Sequence, residues 1–233
     1  MVSSRRQIFQ NGFSSRRFLQ WAGVLFVAVL SLSAWEFARG ADMIKPVGVE
    51  TTPLPEPLKS GLDVGDYVPT FYSRVVSGTL MNKSICFVCR SGRRPVVMIL
   101  MRDMKRGCRP LLKNIDRLVD INRASGIRGF GVMISENPFG SISKVQTFAF
   151  NNKISMPLTV APLSVASPSC QAIHPDAEIS VVLYRNREVV KTFPFRAGEL
   201  TYDRTREVIE EVRKFIARQI SAPLKTVAES AGE

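Results

Sequence analysis

Val96-Val97-Met98-Ile99-Leu100-Met101 is an unbroken apolar run, preceded by Pro95 and followed by Arg102-Asp103. A run this short with polar ends reads as a β-strand buried on both faces, as at the centre of a parallel sheet. Beyond it, Pro110 opens a helix in which Leu111, Leu112, Ile115, Leu118 and Val119 recur at helical spacing, and Gly126 marks the stop. Gly129 to Ile134 is a second buried strand. Strand, helix and strand in this order form a parallel crossover.

The pattern continues outward. Ser141 is placed to cap a shorter helix carrying Ile142, Val145 and Phe148, and Pro157 to Ala161 makes a short third strand. Then the rhythm changes. Ile179 to Tyr184 and Glu188 to Phe195 are strands separated by Arg185-Asn186-Arg187, a hairpin-sized gap, and Pro194 assigns the second to a sheet edge. Asp203 is the expected cap of a last helix with Val208, Ile209, Val212, Phe215, Ile216 and Ile220 on its apolar face.

The first 40 residues read as an export signal. Arg5, Arg6, Arg16 and Arg17 precede a stretch from Phe18 to Trp35 without a charged side chain, and Ala38 and Gly40 suit cleavage before Ala41. Ser4-Arg5-Arg6-Gln7-Ile8-Phe9 and Ser15-Arg16-Arg17-Phe18-Leu19 resemble the twin-arginine export signal of bacteria. The alternative is an uncleaved anchor that touches the membrane through residues 18–35. Basic residues ahead of the segment put the body outside the cytoplasm either way, in the periplasm or cell envelope. Residues 41–60, with Pro46, Pro53, Pro55 and Pro57, read as a linker. Residues 61–220 form one domain, and 221–233 a disordered tail.

The chain carries 32 Lys and Arg against 20 Asp and Glu, a formal charge of +12. Of this, +4 belongs to the export signal and +8 to the remainder. Export removes nucleic acid as a partner, and the basic run lacks the interleaved aromatics that stack bases. That run comprises Arg90, Arg93, Arg94, Arg102, Lys105, Arg106 and Arg109. It reads either as a solvated face or as a surface for an anionic partner, such as an envelope protein. A single His excludes multi-histidine metal centres. No carboxylate pair, Ser-His-Asp set or phosphate loop stands out, and no cofactor is implied.

Val64-Gly65-Asp66-Tyr67-Val68-Pro69-Thr70-Phe71 resembles the opening of peroxiredoxins and TlpA-like extracytoplasmic thioredoxins, where it begins an N-terminal hairpin. Cys86-Phe87-Val88-Cys89-Arg90 followed by Arg94-Pro95-Val96-Val97-Met98 is similar to exported planctomycete proteins with such a domain. The resemblance implies an α/β thioredoxin-like three-layer sandwich. Its central mixed sheet would end in an antiparallel hairpin and a helix, with an N-terminal hairpin as an extension.

It also implies thiol chemistry. Cys86 and Cys89 form a CxxC, but ahead of the Val96 strand, whereas the resembled enzymes carry theirs after the first central strand. One reading is a thiol-disulfide oxidoreductase with Cys86 attacking and Cys89 resolving, aided by Arg90, Arg93 and Arg94. The other is a non-catalytic module with Cys86–Cys89 as a structural disulfide. Cys108 stands where a peroxiredoxin keeps its peroxidatic cysteine, yet the family's Pro and Thr are missing from Met101 to Arg106. Arg106 and Arg109 are expected to acidify its thiol. Cys86, Cys89, Cys170 and His174 make a third option, a zinc or copper(I) ligand set. Active thioredoxins also place a cis-proline just before the strand expected near Ile179-Ser180. None is present there, and Pro175 lies too early.

Overall fold

In a computed structural model, which describes residues 56–104 and 107–221, Val96–Met101 is a strand with every residue buried. The described residues form seven strands: β1 (Ser73–Val75), β2 (Ser84–Ile85), β3 (Val96–Met101), β4 (Arg128–Ser135), β5 (Leu158–Pro162), β6 (Ala177–Arg185) and β7 (Glu188–Arg196). They also form four α-helices: α1 (Phe87–Ser91), α2 (Cys108–Ile121), α3 (Pro138–Asn152) and α4 (Tyr202–Ser221). The segments read as export signal and linker, up to residue 55, the expected tail from 222, Lys105 and Arg106 lie outside the described residues.

One mixed sheet runs in the order β2-β1-β5-β4-β3-β6-β7. β3, β4 and β5 are parallel, while β1 joins β5, β6 joins β3 and β7 joins β6 antiparallel. Because side chains alternate along a strand, β3 feeds two cores. Val97, Ile99 and Met101 pack with residues of α2, α3 and α4. Val96, Met98 and Leu100 pack with Phe87 and Val88 of α1, Val165, Ala166 and Ile173. The second outer layer is therefore thin, made of a five-residue helix, the 3-10 turn Leu163–Ala166 and extended chain.

Gly129 lets α2 approach the sheet, and Gly131 makes room for Leu158 of β5. A Cβ on Gly129 would stand 2.7 Å from Val119 Cγ2 and 3.2 Å from its Cγ1, and one on Gly131 2.7 Å from Leu158 Cδ2. Val119 is stiff about χ1 and both its methyls face Gly129, so rotation gives no relief. Gly129→Ala is expected to cost about 1–3 kcal/mol through overpacking, measured by urea unfolding.

Several boundaries differ from the sequence reading. α2 starts at Cys108, two residues before Pro110, which sits in the first turn where an N–H has no helical partner. α3 starts at Pro138, because Asn137 Oδ1 accepts the Gly140 N–H at 3.0 Å. Ser141 instead donates to the Asn137 carbonyl and to Ser135 Oγ. Thr201 Oγ1, not Asp203, accepts from the first turn of α4, at Arg204 N. Ile220 is 51% exposed and lies off the packed face. β5 is displaced by one residue, to Leu158–Pro162.

The segment at 64–71 does not open the hairpin. It lies against the β6–β7 turn, with Val68 N donating to Arg187 O at 2.7 Å, and the hairpin forms later from β1 and β2. Ser60, read as linker, is buried, and its hydroxyl accepts the His174 N–H at 2.9 Å. The β6–β7 turn has Asn186 and Arg187 both at positive φ, the primed geometry that matches strand twist. β7 is an edge strand, as Pro194 indicates.

Candidate functional site

β3 ends at Met101, and the chain enters α2 at Cys108. A helix that follows a central strand points its first turn over the sheet end, where the resembled enzymes hold their sulfur. Here the thiol turns inward. Cys108 is 1% exposed, and its Sγ approaches Met101 Sδ at 3.6 Å. Burial, with the carboxylates of Glu178 and Asp103 nearby, pushes the thiol up to about 12 from an ordinary 9.0. The expected acidification is thus reversed: desolvation and acidic neighbours outweigh Arg109, whose residue is exposed.

This shift links to stability. The folded thiol keeps its proton while the unfolded one loses it above pH 9, so the stabilisation present below pH 9 is lost between about pH 9 and 12. At pH 10.5 the loss is on the order of 2 kcal/mol from this group. Urea unfolding of the wild type and of Cys108→Ala across that range is expected to differ in pH slope, with the variant flatter.

The position opposite the end of β3 also departs from the enzymes. Glu178 O accepts the Arg102 N–H at 2.8 Å, and Met101 pairs with Ile179. β6 begins at Ala177 with Asp176 before it, so no proline directly precedes the strand.

Cys86 and Cys89 are joined by a disulfide, with Cα atoms 5.3 Å apart. Cys86 is the N-cap of α1, and its Sγ accepts the Cys89 N–H at 3.1 Å. Phe87 stacks on Phe130 of β4 with ring centroids 5.0 Å apart, which holds α1 on the second face of the sheet. Cys86 is 6% exposed and belongs to that core, whereas Cys89 is exposed. The accessible residue of the pair is therefore Cys89, the reverse of the expected assignment with Cys86 attacking. Phe87 and Val88 face the core, so the one-turn helix buries its first residues and turns Cys89 and Arg90 outward.

Cys170 is half-buried and its thiol is raised by burial. His174 Nδ1 accepts the Asp176 N–H at 3.1 Å and lies 3.8 Å from the Asp176 carboxylate. Among the described residues no three His, Cys, Asp or Glu side chains are grouped to hold a metal ion. The ligand set Cys86, Cys89, Cys170 and His174 is thus not brought together.

The basic run is also divided. Arg90, Arg93 and Arg94 precede β3 and Arg102 and Arg109 follow it, so the strand's length of roughly 17 Å separates them. Arg102 lines a depression with Lys59 and His174, and Arg109 another with Lys113, Arg117 and Lys153. Arg90 and Arg94 join two residues the sequence reading did not single out, Arg123 and Arg128, around a third pocket. Their spacing of about 30 residues gives no local signal, because only the β3–β4 pairing brings them together.

A mixed sheet with parallel β3, β4 and β5, an antiparallel β6–β7 hairpin and a closing helix is a thioredoxin-like fold. A solution structure from Bacteroides thetaiotaomicron, assigned as a protein disulfide isomerase, matches 69% of this chain and 95% of its own, with a TM-score of 0.52 and 14% identity. A hypothetical protein from Sinorhizobium meliloti matches 69% of this chain and 89% of its own, with a TM-score of 0.51 and 10% identity. Both are likenesses of fold. No protein-family model and no curated protein matches the sequence.

Proposed function

We propose that this chain is an exported thioredoxin-like module that works by binding an anionic partner in the bacterial cell envelope, with Cys86–Cys89 as a structural cross-link. The observation that carries the non-catalytic part of this reading is Cys108, and the anionic partner rests on the exposed Arg90, Arg93 and Arg94. At the position where the fold's enzymes present a reactive sulfur, the thiol is 1% exposed and raised to about 12, so it holds almost no thiolate at neutral pH. The lack of a proline before β6 agrees with it. Export rests on residues 1–40, and an N-terminus at Ala41 on protein recovered from the envelope would support it.

As a cross-link, the disulfide restrains a short loop. Chain entropy gives about 2 kcal/mol for such a closure, and Cys86 in the core adds packing that Ser would lose. Cys86→Ser/Cys89→Ser is expected to lower the unfolding free energy by that amount or more. Partner capture is expected to survive this pair of substitutions and to fail with Arg93→Glu/Arg94→Glu. Capture that needs the cysteines and tolerates the charge reversals would refute the proposal.

The exposure of Cys89 favours one second reading, exchange at that sulfur. An external thiolate would attack Cys89 Sγ, forming a mixed disulfide and releasing the Cys86 thiolate onto the Cys89 N–H. A second thiolate of the same substrate would then attack the substrate sulfur of the mixed disulfide, forming the substrate's disulfide and leaving Cys86 and Cys89 reduced. Trapping a mixed disulfide on Cys89 and none on Cys86 would distinguish this route from the cross-link.

A further inference from the structure

At the end of the sheet opposite Cys108, α1, the turn before β3, the α2–β4 connection and the start of β4 converge on a pocket of about 180 Å³. Four arginine residues line it. Arg90 comes from the last turn of α1, Arg94 from the turn before β3, Arg123 from the stretch after α2, and Arg128 from the first position of β4. Half-buried Leu80 and the 8% exposed edge of Phe87 supply apolar lining, with Phe130 buried behind Phe87.

The charge here is unbalanced. Among the described residues, Asp120 is the one carboxylate that pairs with any of the four, at 3.3 Å from Arg123. Like charges gathered this way destabilise a fold unless something anionic offsets them. Arg128 is also held in place: Nη1 donates to the Arg123 carbonyl at 3.0 Å and to the Ile127 carbonyl at 2.8 Å. Burial and the closeness of Arg94 and Arg123 lower its pKa, which reflects the same crowding.

We infer that this pocket binds a small organic oxyanion, a phosphate monoester or a close analogue, with its anionic head among Arg90, Arg94, Arg123 and Arg128 and its apolar part against Leu80 and the edge of Phe87. Guanidinium forks match phosphate oxygens in pairs, and four of them exceed what one carboxylate group would use. The volume lies below the roughly 300–1,000 Å³ of pockets that take drug-sized ligands. It therefore suits a single ring or short chain rather than a nucleotide. The inference deepens the binding reading above and rests on it only for the idea that the module works by binding. It stands whether or not the disulfide exchanges.

The test is calorimetric titration of the full chain with phenyl phosphate and with inorganic phosphate. Phenyl phosphate is expected to bind one per chain and more tightly than inorganic phosphate, because only it uses the apolar lining. Arg90→Gln/Arg94→Gln, both at exposed positions, is expected to weaken it by about tenfold for each guanidinium removed. Arg206→Gln, exposed on α4 and outside the pocket, should leave binding unchanged. Without ligand at low salt, Arg94→Gln should melt at or above the wild-type temperature, since it relieves repulsion. No binding by the wild type, or equal weakening by Arg206→Gln, would overturn the inference. Loss of partner capture with phenyl phosphate binding intact would count against the envelope-partner reading alone.

Discussion

Native protein held with excess iodoacetamide at pH 7 is expected to keep Cys108 unmodified, while the same protein in urea is alkylated there at the rate of an ordinary thiol. Alkylation requires the thiolate. A thiol raised from 9.0 to about 12 has its thiolate fraction at pH 7 lowered about a thousandfold. Access reduces the rate further, because the residue is 1% exposed and its sulfur lies against Met101. The same two facts predict no consumption of hydrogen peroxide through Cys108. Peptide mapping after timed quenching measures the rate at each cysteine separately, so half-buried Cys170 serves as an internal comparison. Labelling of Cys108 in the native state as fast as in urea would show that its sulfur reaches solvent and would restore it as a candidate nucleophile.

Asp116→Ala is expected to cost about 3 kcal/mol or more. Asp116 projects from α2, is 8% exposed, and accepts four hydrogen-bond contacts from the chain entering β5. Ser155 N reaches both carboxylate oxygens at 3.1 Å, Ser155 Oγ reaches Oδ1 at 2.9 Å, and Met156 N reaches Oδ1 at 2.7 Å. This one side chain replaces a missing strand partner for two consecutive backbone N–H groups. Alanine would leave the buried Met156 N–H without an acceptor, at about 1–3 kcal/mol, and would remove the charged acceptor of the part-buried Ser155 N–H and hydroxyl, at about 1.5–3 kcal/mol. Asp116→Asn, which keeps one oxygen acceptor, should lose roughly half as much. For a domain of this size the Ala variant's melting temperature should fall by about 10 °C. A loss below about 1 kcal/mol would mean that water substitutes for the carboxylate.

What was legible in the sequence followed from periodicity. β3, β4, the hairpin and the apolar face of α4 each bury a repeating pattern, so their type and order could be read without knowing their partners. Helix starts were less legible, because several polar residues compete for one cap. Asn137 displaced Ser141, and Thr201 displaced Asp203, by positions that only the incoming chain direction decides. The site was legible as a set of residues but not as an arrangement. Cys86 and Cys89 could be paired from their spacing, yet which of them faces the core depends on Phe87 docking against Phe130, a contact 43 residues apart in the chain. The basic run looked continuous because it is continuous in sequence, and β3 divides it in space. Arg123 and Arg128 are the reverse case, remote in sequence from Arg90 and joined to it by the sheet.

The same logic explains why the acidity expected at Cys108 failed. Arg109 adjoins it in sequence, but neighbours along a helix point in directions about 100° apart. The thiol therefore sees Met101, Asp103 and Glu178, and the Arg109 residue sees solvent.

The central claim, a thioredoxin-like module without thiol turnover, is tested most directly by the rate at which the full chain speeds dithiothreitol-driven reduction of a protein disulfide such as insulin's. The expected rate is that of dithiothreitol alone, the same for the wild type and for Cys86→Ser/Cys89→Ser. An acceleration by the wild type that disappears in the Ser variant would contradict the account and make Cys86–Cys89 the active disulfide.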